Sequence, residues 1–124
     1  MIQTPDGLAK LAKGYKSFGA PLALIVCANH QETWRRHYDR HDSADTDAAI
    51  VTDHMMLCAA DLGLDSVWVG AFNPAVIRQE FRIPNDIEPM NILMIGYAAC
   101  EPQSPQRHNE FRKPLSQTVV FENF

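Results

Sequence analysis

The chain has 124 residues, of which 46% are hydrophobic, 21% charged and 9% aromatic. That is enough to bury one core without disulfides or metal, too short for two ordinary domains, and too apolar for disorder. Eleven basic against fifteen acidic residues leave a net charge of −4, which argues against nucleic acid as a partner, since that binding rests on an excess of Lys and Arg.

No membrane span is expected, because the longest charge-free run, 17–31, is broken by Gly19, Pro21, Asn29 and His30. Asp6 stands where a secretory leader would need basic and then apolar residues. Cys27, Cys58 and Cys100 are an odd number and each lies in an apolar run, which reads as buried free thiols in a reducing cytoplasm.

Residues 4–17 read as an amphipathic helix, with Thr4 as cap, Pro5 at the first helical position, and Leu8, Leu11, Ala12 and Tyr15 on one face. Gly19 stops it. The apolar run 21–28 has the pattern of a strand covered on both faces. Residues 29–45 are polar and aperiodic, a surface loop with at most one helical turn. Asp45 or Thr46 then caps a helix over 47–62 that Gly63 ends. This helix is apolar almost all round, so it must be central or packed on a second subunit. A short strand follows over 66–70. Asn73-Pro74 opens a helix that runs to about residue 82, before Pro84. A buried strand covers 89–98. The proline-bearing stretch 101–114 is an extended connector, and 118–121 a last strand. The sum is an α/β or α+β layered domain with a sheet of about four strands, whose final strand can add to a neighbour's sheet as easily as to its own.

Three pieces carry a family likeness. The first is DAAIVTDHMMLCAADLGL (47–64) followed at once by DSVWVGAF (65–72). The second is Ile83-Pro84 followed by ILMIGY (92–97). The third is Arg107-His108 and then RKPL (112–115). In this order and spacing they resemble the C-terminal two-thirds of the FMN-dependent nitroreductase family, especially its short single-domain members. The resemblance implies a central, mostly antiparallel sheet flanked by helices, with a C-terminal arm swapped in a homodimer. Residues 1–124 would be one such domain. The family's front segments, an RRSxR stretch and a later Pro-Trp stretch, have no counterpart here, so Met1 reads as the start of a shortened chain.

The resemblance further implies FMN at the subunit interface, NAD(P)H as reductant, and a nitro compound, quinone or similar small molecule as acceptor. At Val69, Gly70 and Ala71 the family sets a backbone N–H against flavin N5, and a glycine permits that approach. Arg112 matches the basic residue that holds the FMN phosphate, with Lys113 the weaker partner and Arg107 a helper; a guanidinium meets phosphate with two parallel hydrogen bonds. Taken without the family, all three are solvated charges on an arm. Phe72 and Trp34 are candidates for the acceptor pocket, whereas Trp68 reads as core. His54 reads as hydrogen-bonded packing, and the methionines Met55 and Met56 as filling. His37 and His41 lie four apart among Asp39, Asp42 and Asp45, but no third ligand of fixed geometry joins them and arginines stand nearby, so no metal is expected. The cysteines have no basic neighbour to activate them. The alternative to the enzyme is a non-catalytic, dimerising remnant that binds flavin weakly or not at all.

Overall fold

The computed structural model describes residues 1–101 and 103–123, so Pro102, one residue of the expected connector, lies outside them. Helix α1, Pro5–Gly14, starts as its sequence dictates: the Thr4 hydroxyl accepts from the Gly7 N–H at 3.1 Å, and proline takes the first position. Strand β1 spans Leu22–Asn29, helix α2 Ala44–Asp61, strand β2 Asp65–Val69, helix α3 Pro74–Phe81 and strand β3 Ile87–Gly96. A short helix α4, Arg107–Phe111, and a 3-10 turn at Leu115–Gln117 complete the described elements. Among the described residues no helix is long and apolar enough to cross a membrane.

The sheet has the order β1-β3-β2 and is antiparallel throughout. Its central strand is the only one flanked on both edges, with Leu24 and Trp68 both opposite Leu93. Residues 91–95 are accordingly buried without a break. On one face, Leu11 of α1 and Ile77 of α3 pack on Ala23, Val69, Ile92 and Met94. On the other, Ala59 of α2 packs on Leu93 and Ile95, with Met55 and Met56 partly buried beside them. Ile2 extends the outer edge of β1 by exchanging two hydrogen bonds with Ala23, at 2.8 and 2.9 Å.

Two glycines are fixed by this packing. A Cβ on Gly14 would stand 2.5 Å from Ile77 Cδ1, so any larger residue there would force the buried Ile77 side chain to shift. Gly63 follows α2 with φ +73°, the left-handed conformation expected of a helix-ending glycine. The residues of α2 that are buried, Ala44, Ala48, Thr52 and Ala59, are all small and recur at helical spacing, which brings the helix axis near the sheet.

Several expectations need correction. The sheet has three strands, not about four: residues 118–121 are irregular here, and Phe121 is 86% exposed. A strand needs a neighbour for its N–H and C=O groups, and among the described residues the tail pairs with none. The connector is not wholly extended: a turn at 104–107, in which the Ser104 side chain accepts from the Gln106 N–H at 3.2 Å, leads into α4, whose N-cap is Gln106. Helix α2 starts three residues earlier than expected, at Ala44. Its entry is set by Asp42, which accepts from the Ala44 N–H at 3.1 Å, while the capping residue is Ser43 rather than Asp45 or Thr46. Cys27, Cys58 and Cys100 are exposed free thiols rather than buried ones. Trp68 is 39% exposed on edge strand β2, and His54 is exposed on α2 rather than packed.

Candidate functional site

The turn that leaves β2 is held on both sides. Val69 is buried opposite Ile92, and three residues after Gly70 the Asn73 N–H donates to Gly14 O at 3.0 Å. The Asn73 side chain also accepts from the N–H groups of Ala75 and Val76, at 3.1 and 3.2 Å, which opens α3. Between these anchors Gly70 and Ala71 are exposed, and Phe72 packs half-buried against the α1/α3 side of the core. A Cβ added to Gly70 would meet nothing within 4 Å. The Ala71 N–H donates no hydrogen bond among the described residues. A rigid turn with a free backbone donor and open space before it fits a flat ring bearing acceptor atoms, such as a flavin.

The basic candidates lie on the tail. Arg107 opens α4, with its guanidinium on Gln103 O and Ser104 O at 3.4 and 3.2 Å; Arg112 follows the last residue of α4, and Lys113 comes next. Among the described residues none of the three makes an ion pair. The charges of Arg112 and Arg107 are felt by His108, whose pKa is lowered first by Arg112, then by desolvation and by Arg107. An electropositive cluster without a counter-ion suits a phosphate. Among the described residues, helix α4 has no buried residue and no substantial packing on the other helices or strands.

Residues 34–43 form a small hairpin rather than a plain loop. The Ser43 N–H donates to Trp34 O at 3.0 Å, the Arg36 N–H to His41 O at 2.9 Å, and Arg35 bridges Asp42. Arg36 grips Asp39 through two hydrogen bonds of 2.8 and 2.6 Å, and His37 stacks on Tyr38 with ring centres 3.7 Å apart. Trp34 stands 66% exposed on this hairpin. Below it a cleft of 260 Å³ opens between the end of β1, Thr33 and the first turns of α2. A larger concavity of 760 Å³ lies between the start of α1 and the end of α3 and holds none of the sequence-predicted site residues. Cys27 borders the smaller cleft, and desolvation holds its thiol above the ordinary value despite the positive charge of Arg78, so it is a poor nucleophile. Among the described residues no three His, Cys, Asp or Glu side chains converge on a common point.

The sequence reading passed over one buried polar pair. Thr52 on α2 and Asn91 on β3 are 0% and 4% exposed, and Thr52 Oγ1 lies 2.7 Å from Ala48 O and 3.0 Å from Asn91 Oδ1. The only signal was an asparagine inside an apolar run. This pair ties the middle of α2 to the level of β3 from which the Gly70 turn departs. Replacing the hydroxyl by a methyl leaves the Asn91 amide unpaired in the core. Thr52→Val is therefore expected to lower unfolding stability by about 1–3 kcal/mol, read by urea denaturation.

Residues 3–97 match the model of the Nitroreductase family. A nitroreductase family protein of Clostridium difficile 630 shares 48% identity with the chain, and its crystal structure superposes with a TM-score of 0.94 over 99% of this chain and 72% of that one. An FMN-dependent nitroreductase of Clostridium difficile R20291 is 25% identical, with a TM-score of 0.67 over 93% of this chain and 66% of that one. A Methanothermobacter thermautotrophicus protein bearing the name NADH dehydrogenase/NAD(P)H nitroreductase is 29% identical over 92 residues. That stretch is 67% of this chain, and the match spans 43% of the relative's length. With a family match over most of its length and the antiparallel α+β fold already described, the chain belongs to the nitroreductase family.

Proposed function

We propose that this chain acts as one subunit of a homodimeric, FMN-dependent oxidoreductase that draws on NAD(P)H and reduces nitro compounds, quinones or similar small acceptors in the cytoplasm. The observation that carries this reading is the family match over residues 3–97, which includes the open turn at Gly70 with its free Ala71 N–H. FMN, when bound, supplies the hydride chemistry; the protein's part is to bind, orient and exclude water. Val69, Gly70 and Ala71 form the face against the flavin ring, and the Ala71 N–H donates to a ring acceptor. Arg112, with Arg107 and Lys113, holds the phosphate. Because Arg112 follows a helix that does not pack on its own sheet, the reading has the tail of one subunit serving the turn of the other. Phe72 and Trp34 border the acceptor.

The test is reconstitution with FMN, followed by measurement of retained flavin and of NADH and NADPH oxidation with a nitroarene or a quinone. Retained flavin with acceptor-dependent oxidation supports the reading. Absence of both favours a dimerising domain without catalysis. An independent readout comes from His108. A phosphate seated between Arg107 and Arg112 cancels the charges that now lower the His108 pKa. Titration of His108 by NMR is therefore expected to move to higher pH on addition of FMN, and of inorganic phosphate at higher concentration.

A further inference from the structure

His30 follows the last residue of β1 and lies between two carboxylates. Its Nδ1 is 2.9 Å from Asp42 Oδ2, and its Nε2 is 2.6 Å from Glu88 Oε2. Asp42 belongs to the base of the hairpin, and Glu88 to the start of β3, so the ring joins the hairpin to the sheet. The other groups facing this cluster are few. The Arg35 guanidinium donates to His30 O at 2.8 Å and is the nearby positive charge on Asp42, while the second Asp42 oxygen takes the Ala44 N–H at 3.1 Å. Thr33 Oγ1 donates to His30 O at 3.1 Å.

Two ring nitrogens can both donate to carboxylates only when the ring is an imidazolium; a neutral ring has one N–H and one lone pair. We propose that His30 is a proton-operated latch that holds the 34–43 hairpin, with Trp34 and Tyr38, against the sheet. Loss of the proton turns a lone pair toward one carboxylate, and that contact becomes repulsive. Whichever nitrogen keeps the proton, the chain Glu88–His30–Asp42 is cut at one point. The hairpin's own ladder does not depend on the ring, so it moves as a unit about residues 30–33 and the start of α2.

The direction of the switch follows from its charges. The hydrogen bond to Asp42, then that to Glu88, raise His30 above its ordinary value of 6.5, outweighing desolvation. A raised folded-state value means the latch is closed below the ordinary histidine range and opens as pH climbs through the raised value. Asp42 is held below its ordinary carboxyl value, chiefly by His30, so the latch also stays closed well into mild acid. None of this requires flavin, and it does not rest on the oxidoreductase reading.

The experiment is NMR on the full chain between pH 5 and about 9, following the His30 ring by its carbon shift and the amides of 34–42 by nitrogen relaxation. The His30 midpoint is expected above 6.5. At the same midpoint the amide order parameters should fall from about 0.85 toward 0.6, while those of β3 stay unchanged. Glu88→Gln is expected to move both midpoints down together. Hairpin order parameters that stay constant through the His30 titration overturn the latch. So does a His30 midpoint at or below 6.5, or a Glu88→Gln variant in which the ring midpoint moves and the hairpin's does not.

Discussion

Arg112→Glu is expected to weaken FMN binding by about a hundredfold or more, as measured by quenching of flavin fluorescence, with little change in unfolding stability. The effect is large because two charge-assisted hydrogen bonds to phosphate are lost together and a repulsive charge replaces them. Stability is spared because Arg112 is exposed, makes no ion pair among the described residues, and follows a helix without buried residues. Arg112→Lys separates geometry from charge. A compact ammonium retains the attraction but not the planar fork, so an intermediate loss is expected. Arg107→Ala should cost less than either, since its guanidinium is already engaged with Gln103 O and Ser104 O. Equal affinity in Arg112→Glu and the unaltered chain would place the phosphate elsewhere.

How much of this was legible in the sequence depended on whether the information was local. Thr4-Pro5 and Asn73-Pro74 announce helix starts through a side-chain acceptor and a ring-locked φ, and both hold in the structure. Helix α4 carries no such signal: its N-cap is Gln106 without a side-chain hydrogen bond, and its proline-rich surroundings read as connector. Most of the run over 89–98 lies in the central strand, Ile87–Gly96, because only a strand flanked on both edges and covered on both faces tolerates so many apolar residues in a row. Tyr97 and Ala98, expected in it, lie beyond its end and are exposed. Trp68 shows the converse. Its apolar neighbours suggested core, but β2 is an edge strand, and edge position is a property of topology that no local window contains. The hairpin was illegible for a similar reason. Its ladder is short, and its tie to the sheet joins His30, Asp42 and Glu88, of which the outer two are 58 residues apart. At the candidate site, the Gly70 turn and the basic tail were found through the family likeness; residue types alone gave a strand-ending glycine and solvated arginines.

If the proposed homodimer holds, Leu57→Asp is expected to convert it to a monomer at micromolar concentration, read by light scattering, and to abolish flavin retention with it. The argument starts from α2, the helix whose sequence is apolar almost all round. Its small residues face the sheet, and that leaves Ile50, Val51 and Leu57 outward, with Ile50 50% and Leu57 61% exposed. The tail adds Leu115, Val120 and Phe121, likewise exposed. A chain that turns this much large apolar surface outward has an interaction face rather than an ordinary surface. In the proposed homodimer a second copy would cover it by twofold symmetry, α2 on α2, while each tail would reach its neighbour's sheet. Placing a carboxylate at Leu57 would bury an unpaired charge at that face in both subunits at once, a penalty of several kcal/mol against the dimer alone. The monomer should keep its fold, because Leu57 points away from Leu93 and Ile95, and far-ultraviolet circular dichroism checks this. Arg112→Glu and Leu57→Asp thus lose flavin for different reasons, and light scattering tells them apart: the first remains dimeric, the second does not. A Leu57→Asp protein that stays dimeric, or an unaltered chain that is monomeric, would remove the shared site on which the proposed function depends.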